Sequence, residues 1–220
     1  MHMIQEVRRL ASPAPKPQSL AWDGTTLWMG SRDTKVIHAL DPVAWTVGWQ
    51  TTAPGIPWGM TAVKGELRVL CGETADDHRI IRRCVPGQGF DPAFGITCPD
   101  DTGSHLSFDG RSLIVSQWYP KKLIALDALG KSGRIILVPR GICGHTFADG
   151  VFYLMTTDAE ETNDYWLTRV DPRPATPQID DLAQVPFPAR GLAFDGKHFW
   201  TNHRAADQIV CFKHPLEGLQ

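Results

Sequence analysis

Trp22-Asp23-Gly24, Phe108-Asp109-Gly110, Ala148-Asp149-Gly150 and Phe194-Asp195-Gly196 are four copies of one signal, and Val63-Lys64-Gly65 is a worn fifth. A short apolar stretch precedes each copy and a second one follows it: Leu27-Trp28-Met29, Leu67-Arg68-Val69, Leu113-Ile114-Val115, Phe152-Tyr153-Leu154 and Phe199-Trp200-Thr201. The Asp or Lys positions 23, 64, 109, 149 and 195 are spaced by 41, 45, 40 and 46 residues. A strand–turn–strand unit repeating at about 40 residues is the signature of a β-propeller blade. The fold class expected is all-β: a five-bladed propeller of four-stranded antiparallel blades.

Within each repeat the Asp-Gly pair reads as the two-residue turn between the first strand, a, and the second, b, where positive φ suits Gly and is tolerable for Asp. The blades expected are about 19–55, 56–100, 101–141, 142–189 and 190–220. The last is one strand short. Residues 4–10, Ile-Gln-Glu-Val-Arg-Arg-Leu, are otherwise unassigned and are followed by a proline-rich stretch. They are expected to supply the outer strand of blade 5, which closes the ring and removes a free edge. A single domain then spans 1–220, because one blade cannot bury both of its faces alone. A sixth blade would need about 40 more residues.

Composition agrees with a globular β protein and excludes some partners. Hydrophobic residues are 42% of the chain, enough for a core, and the eight Trp suit flat packing between blades. The formal net charge is −2 and basic residues are scattered, so neither nucleic acid nor an anionic membrane is an expected partner. No stretch approaches the roughly 20 apolar residues of a membrane span. The first residues, Met-His-Met-Ile-Gln-Glu-Val-Arg-Arg-Leu, lack a signal-peptide core. Five Cys without a CxxC pair point to a reducing compartment, and a cytoplasmic location is expected.

In a propeller, the residues before each strand a and those in the b–c loops converge on one rim of the channel. Counting back four from each Asp or Lys gives Ser19, Met60, His105, His145 and Gly191. This count puts His105 and His145 at one repeat position in adjacent blades, side by side at the mouth, with His203 reaching the same rim from blade 5. Imidazoles with Glu73 or Asp158 nearby, or with the amides of Gln18 or Gln117, are a candidate divalent-metal site. Such a metal would polarise a carbonyl or activate water; alternatively one His is a general base. The plain structural reading is that each His donates to a backbone carbonyl. Arg32 and Arg190 are candidates to grip a carboxylate or phosphate, or to pair with a rim acid. Trp58 and Trp118 are candidate stacking walls, or inter-blade packing. Cys143-Gly144-His145 is a candidate thiolate with an imidazole, but Cys143 reads first as a small buried residue. The chain has no GxGxxG, P-loop, GxSxG or HExxH pattern.

The blade text resembles the NHL, gluconolactonase and streptogramin-lyase group of propellers. Phe199-Trp200-Thr201-Asn202 with Asp207-Gln208-Ile209 is similar to the lyases' "W-F-T-E … N-x-I" blade. Ser104-His105-Leu106 and Gly144-His145-Thr146 are similar to their "P-H-x-I" strand starts, where the resemblance implies a His in a magnesium-dependent elimination. Five blades also resemble the glutamine cyclotransferases. Their "F-T-Q-G-L" start is matched by Pro17-Gln18-Ser19-Leu20, but their "G-E-G-L-T" reads Pro57-Trp58-Gly59-Met60-Thr61 here, with Trp in place of the essential Glu. The resemblance therefore implies the scaffold, and glutaminyl cyclisation by that Glu is not expected.

The leading expectation is a small-molecule enzyme, lyase or hydrolase in type, with His105, His145 and His203 holding a divalent metal and Glu73 assisting. The substrate would be bound by Gln18, Arg32, Trp58, Gln117, Trp118, Asp158 and Arg190. The alternative is a non-catalytic propeller that binds a ligand or protein at the same rim.

Overall fold

The computed structural model describes residues 2–72, 78–160 and 162–216. Five antiparallel sheets form a ring, a five-bladed β-propeller. Blade 1 is Pro17–Trp22, Leu27–Ser31, Val36–Leu40 and Val47–Thr52; blade 3 is His105–Phe108, Leu113–Gln117, Lys122–Leu126 and Ser132–Leu137. Blade 4 is Gly141–Ala148, Val151–Thr157, Tyr165–Asp171 and Gln178–Val185. Blade 2 has three long strands, Ile56–Val63, Glu66–Gly72 and Ile80–Val85, and its outer edge is broken into Gly89–Phe90 and Ile96–Thr97. No helix of the described residues is long and apolar enough to cross a membrane.

Blade 5 is Ala189–Phe194, His198–His203 and Gln208–Lys213, completed by Glu6–Ala11 from the other end of the chain. The pairing runs from Glu6 opposite Phe212 to Ala11 opposite Gln208. The preceding residues also tie to blade 4: Ile4 N donates to Gln184 O at 2.9 Å, and Gln184 N donates to His2 O at 2.8 Å. Ile4 is buried in the apolar cluster between blades 4 and 5. Deleting residues 1–12 removes this cover and bares the edge of Gln208–Lys213. The truncated protein is expected to melt at least about 4 °C lower, roughly 2 kcal/mol or more for a chain of this size, or to aggregate; an unchanged melting temperature would count against closure as a stabilising device.

Each gap between blades holds one apolar cluster. Trp28 and Met60 lie between blades 1 and 2, Leu70 and Leu106 between 2 and 3, and Ile114 and Phe152 between 3 and 4. Tyr153 and Phe199 lie between 4 and 5, and Leu20 and Trp200 between 5 and 1. Alternation along each strand a sends successive side chains to the two neighbouring gaps.

The a–b turns correct one expectation, that all five share one form. Only blades 2 and 4 have two-residue turns, with positive φ at both positions: Lys64 51° and Gly65 81°, Asp149 53° and Gly150 79°. In blades 1, 3 and 5 the loop has four residues. There the Asp side chain accepts from the backbone two and three residues on, as Asp109 Oδ1 does from Arg111 N (2.8 Å) and Ser112 N (2.6 Å). Asp23 and Asp195 do the same, and also accept from the indoles of Trp28 (2.7 Å) and Trp200 (2.8 Å). The extra residues relieve the Asp of positive φ.

The difference shifts the inner-strand register by one. Gly30, Leu70, Ser116 and Met155 hold one place on strand b, and they pair with Ser19, Gly59, His105 and Gly144. The neighbouring place pairs with Leu20, Met60, Leu106 and His145. His105 and His145 are therefore not equivalent in the repeat. They lie one residue apart in register and point to opposite sides of their strands.

Candidate functional site

At the mouth of the channel is a pocket of about 410 Å³. Every blade lines it with at least one residue from the start of strand a and at least one from the b–c side. Blades 1 and 2 give Gln18 with Arg32 and Trp58 with Arg79. Blades 3 and 4 give Ser104 with Trp118 and Cys143 with Glu160, and blade 5 gives Arg190 with Arg204.

The walls are cationic and aromatic. The Arg79 guanidinium lies 4.2 Å from the Trp58 ring centroid and that of Arg32 lies 5.2 Å from it. Stacking on the indole covers a guanidinium's flat face and leaves hydrogen bonding to its edge. Trp58 Nε1 is buried and has no partner among the described residues. Arg204 donates to Gln18 Oε1 at 2.7 Å, which fixes that amide across the junction of blades 5 and 1. Trp118 N donates to Ser104 Oγ at 3.1 Å. The Trp118 ring lies over Gly141, where a Cβ would come within 2.5 Å of it, so glycine is what lets the indole lie flat there.

Arg190, like Arg79, is a buried cation of the site, 4% exposed. It donates to Tyr165 Oη at 2.6 Å and to Ala189 O at 2.9 Å, and its other nitrogen lies 3.2 Å from Glu160 Oε2. Burial opposes its charge, but the hydrogen bond to Tyr165 and the carboxylate of Glu160 support it, so it stays a cation. Burial pushes both the Cys143 thiol and the Tyr165 hydroxyl up to about 12, so both stay protonated at neutral pH.

The three expected metal-binding histidines do not meet. His105 and His145 are wholly buried and neither lines the pocket. Their rings lie edge to face, 5.7 Å apart. His105 points from blade 3 toward blade 4 and His145 points back, so together they fill one gap between inner strands. His145 Nδ1 bonds to Ser107 Oγ at 2.8 Å, and His105 Nδ1 faces Leu106 O at 3.4 Å. Burial pulls His105 down to about 4 and His145 well below its ordinary value, the latter also through its neighbour His105. His203 is elsewhere: it stacks on Phe187 at 4.7 Å and bonds to Arg9 at 2.9 Å, against the N-terminal strand. Among the described residues, no group of three His, Cys, Asp or Glu side chains is arranged to hold a metal ion.

Two more expected residues lie off the pocket. Gln117 is fully buried and donates to Pro99 O (2.7 Å) and Thr102 O (3.1 Å), so it braces the loop before blade 3. Asp158 is exposed and faces Arg140 (3.3 Å) and Lys121 (3.9 Å). Glu73 lies outside the described residues. Gln18, Arg32, Trp58, Trp118 and Arg190 do line the pocket. Among residues not put forward for binding, Arg79, Glu160 and Arg204 join them.

No protein-family model matches the chain, and a search of curated proteins gives no match. Solved structures do resemble it. Glutaminyl cyclase from Myxococcus xanthus is 14% identical with a TM-score of 0.72, over 96% of this chain and 98% of that one. The PQQ-bound aldose sugar dehydrogenase of Streptomyces coelicolor is 13% identical, with a TM-score of 0.58 over 96% and 97% of the two chains. A calcium-binding protein, regucalcin, from Agrobacterium tumefaciens is 12% identical, with a TM-score of 0.58 over 96% and 95%. At these identities the likeness is one of fold.

Proposed function

We propose that the channel-mouth pocket binds a small molecule carrying an anionic group and a planar group, and that the chain is an enzyme acting on it. One observation carries this reading: Arg32 and Arg79 lie over the face of Trp58, in an open pocket whose opposite wall holds the buried Arg190. A planar group suits the Trp58 and Trp118 walls, and a carboxylate or phosphate suits guanidinium edges. A cavity of this size and lining is the usual form of a small-molecule site. The glutaminyl cyclase and the aldose sugar dehydrogenase of similar fold are enzymes by name, which supports the catalytic part of the proposal.

Proton transfer at the bound ligand falls to Glu160 among the described lining residues. Cys143 and Tyr165 hold their protons, and the buried histidine pair lies off the pocket. Glu160 is half exposed and lies beside Arg190, within reach of a ligand. Lyase or hydrolase chemistry through such a base is the reaction type put forward.

Calorimetric titration with benzoate tests the binding part. Saturable binding is expected, weakened about tenfold or more by Trp58→Leu and by Arg32→Gln with circular dichroism unchanged. Glu160→Gln removes the competing charge at Arg190 and is expected to tighten it. Absence of saturable binding would remove the anion-site reading. Proton NMR of a pool of small carboxylates and phosphate esters tests the catalytic part: a compound consumed by the wild type and spared by Glu160→Gln supports it, whereas binding with no turnover favours the non-catalytic alternative.

A further inference from the structure

A second cavity of about 210 Å³ adjoins the pocket and shares three of its residues, Arg32, Arg190 and Arg204. Lys16, Pro188 and Ala205 complete its wall. Four of the six lining residues are cations, and none is acidic. This differs from the main pocket, whose lining contains Glu160. Neighbouring groups hold the cations in place. Lys16 has positive φ, 49°, its N–H donates to Asp207 Oδ1 at 2.7 Å and its Nζ lies 3.8 Å from the same oxygen, which ties the start of blade 1 to the b–c turn of blade 5. Arg204 opens that same turn, Arg204–Ala206, and reaches Gln18. Arg190 is set by Tyr165 and its own strand. Arg32 is stacked on Trp58 and has no carboxylate partner among the described residues.

We propose that this annex is a phosphate subsite, so that the pocket's ligand is a planar ring bearing a phosphomonoester. The inference rests on the proposed function above and adds the identity of the anion. A carboxylate offers two oxygens in one plane and a single charge, which one guanidinium edge satisfies. A phosphomonoester offers three terminal oxygens in a tetrahedral spread and a charge of about −1.5 to −2 at neutral pH. Cations arriving from two blades and from different directions match the second shape. Its ester oxygen would face the main pocket, where Trp58 stands beside the shared Arg32, so the ring lies against the indole.

Titration with phenyl phosphate, benzoate and inorganic phosphate tests this. Phenyl phosphate is expected to bind at least tenfold tighter than benzoate, and inorganic phosphate to compete with it. Lys16→Gln and Ala205→Asp alter only the annex; the second removes no contact, since Ala205 is exposed. Each is expected to weaken phenyl phosphate about tenfold while benzoate changes less than twofold. Benzoate binding as tightly as phenyl phosphate, or both annex variants leaving phenyl phosphate unchanged, would overturn the subsite and leave the anion pocket standing. Binding of none of the three probes would overturn both. Competition by inorganic phosphate without any gain for phenyl phosphate would also overturn it, because the annex would then take a free ion and not the ester.

Discussion

Gly59→Ala is expected to destabilise the propeller by about 3 kcal/mol or more, or to prevent folding, although it adds one methyl group. A Cβ at Gly59 would lie 2.5 Å from His105 Cα and 2.9 Å from Leu106 N, both backbone atoms of the next blade. No side chain can swing aside, so the inner strands themselves must separate. Interdigitated interiors resist such movement, and overpacking costs about 1–3 kcal/mol even where side chains can give. Gly144 meets the same limit against Gly191, with a contact of 2.5 Å to its carbonyl carbon. Gly48 is the internal control. It lies on the outer strand of blade 1 with nothing within 4 Å of its would-be Cβ and no positive φ. Gly48→Ala should leave stability unchanged or raise it slightly. Urea denaturation of the three variants gives the comparison, and equal midpoints would mean the inner strands are not in this contact.

These glycines also explain what was and was not legible in the sequence. The blade count and the closing strand follow from spacing and alternation, because each repeat must bury both faces and the ring must hide its edges. The one-residue register did not follow from counting back to Asp or Lys. It was available in what comes after Gly. Blades 1, 3 and 5 place two polar residues before the apolar run of strand b, Thr25-Thr26, Arg111-Ser112 and Lys197-His198. Blade 2 places only Glu66 there, and blade 4 goes directly to Val151-Phe152. A slip of one residue exchanges the two faces of a strand, which is how two non-equivalent histidines came to look matched.

The pocket was legible only as a rim. The starts of strand a are set by the repeat, so Gln18, Trp58 and Arg190 could be placed on it. The b–c loops differ in length and composition, and the period carries no information about which loop residue turns inward. Glu160 and Asp158 are two apart on one acidic loop, yet one reaches Arg190 and the other faces Arg140 outside. Arg79 stands just before the strand that begins at Ile80, and only the structure shows it lying over Trp58.

The histidine pair predicts a sharp acid sensitivity. The inner-strand position of His145 holds Leu or Met in the matching pairs of blades 1 to 3, and that of His105 holds Ser or Gly in blades 1, 2 and 4. Two imidazoles therefore stand where the repeat puts small or apolar groups, and they are wholly buried. Both have pKa values below the ordinary 6.5, His105 at about 4, first because burial disfavours the charged ring. For a depressed histidine the stabilising form is the neutral one. Its contribution is complete above pH 6.5 and is lost as pH falls from there toward 4. At about 1.4 kcal/mol per pH unit, His105 removes roughly 2 kcal/mol between pH 7 and pH 5, and His145 acts in the same direction. Glu66, held at about 2, first by its bond to Arg83, titrates below this window, whereas His38 and His203, also lowered, fall within it. His145→Leu isolates the pair, because it restores the residue type of the other blades and leaves His38 and His203 in place. At pH 7 the variant is expected within about 1 kcal/mol of the wild type, the lost Ser107 bond being offset by apolar burial. At pH 5 it should be the more stable protein, by about 1–2 kcal/mol. Urea denaturation at the two pH values measures this; parallel loss in both proteins would mean that the gap between blades 3 and 4 admits the imidazolium, and that the pair is not what limits stability in acid.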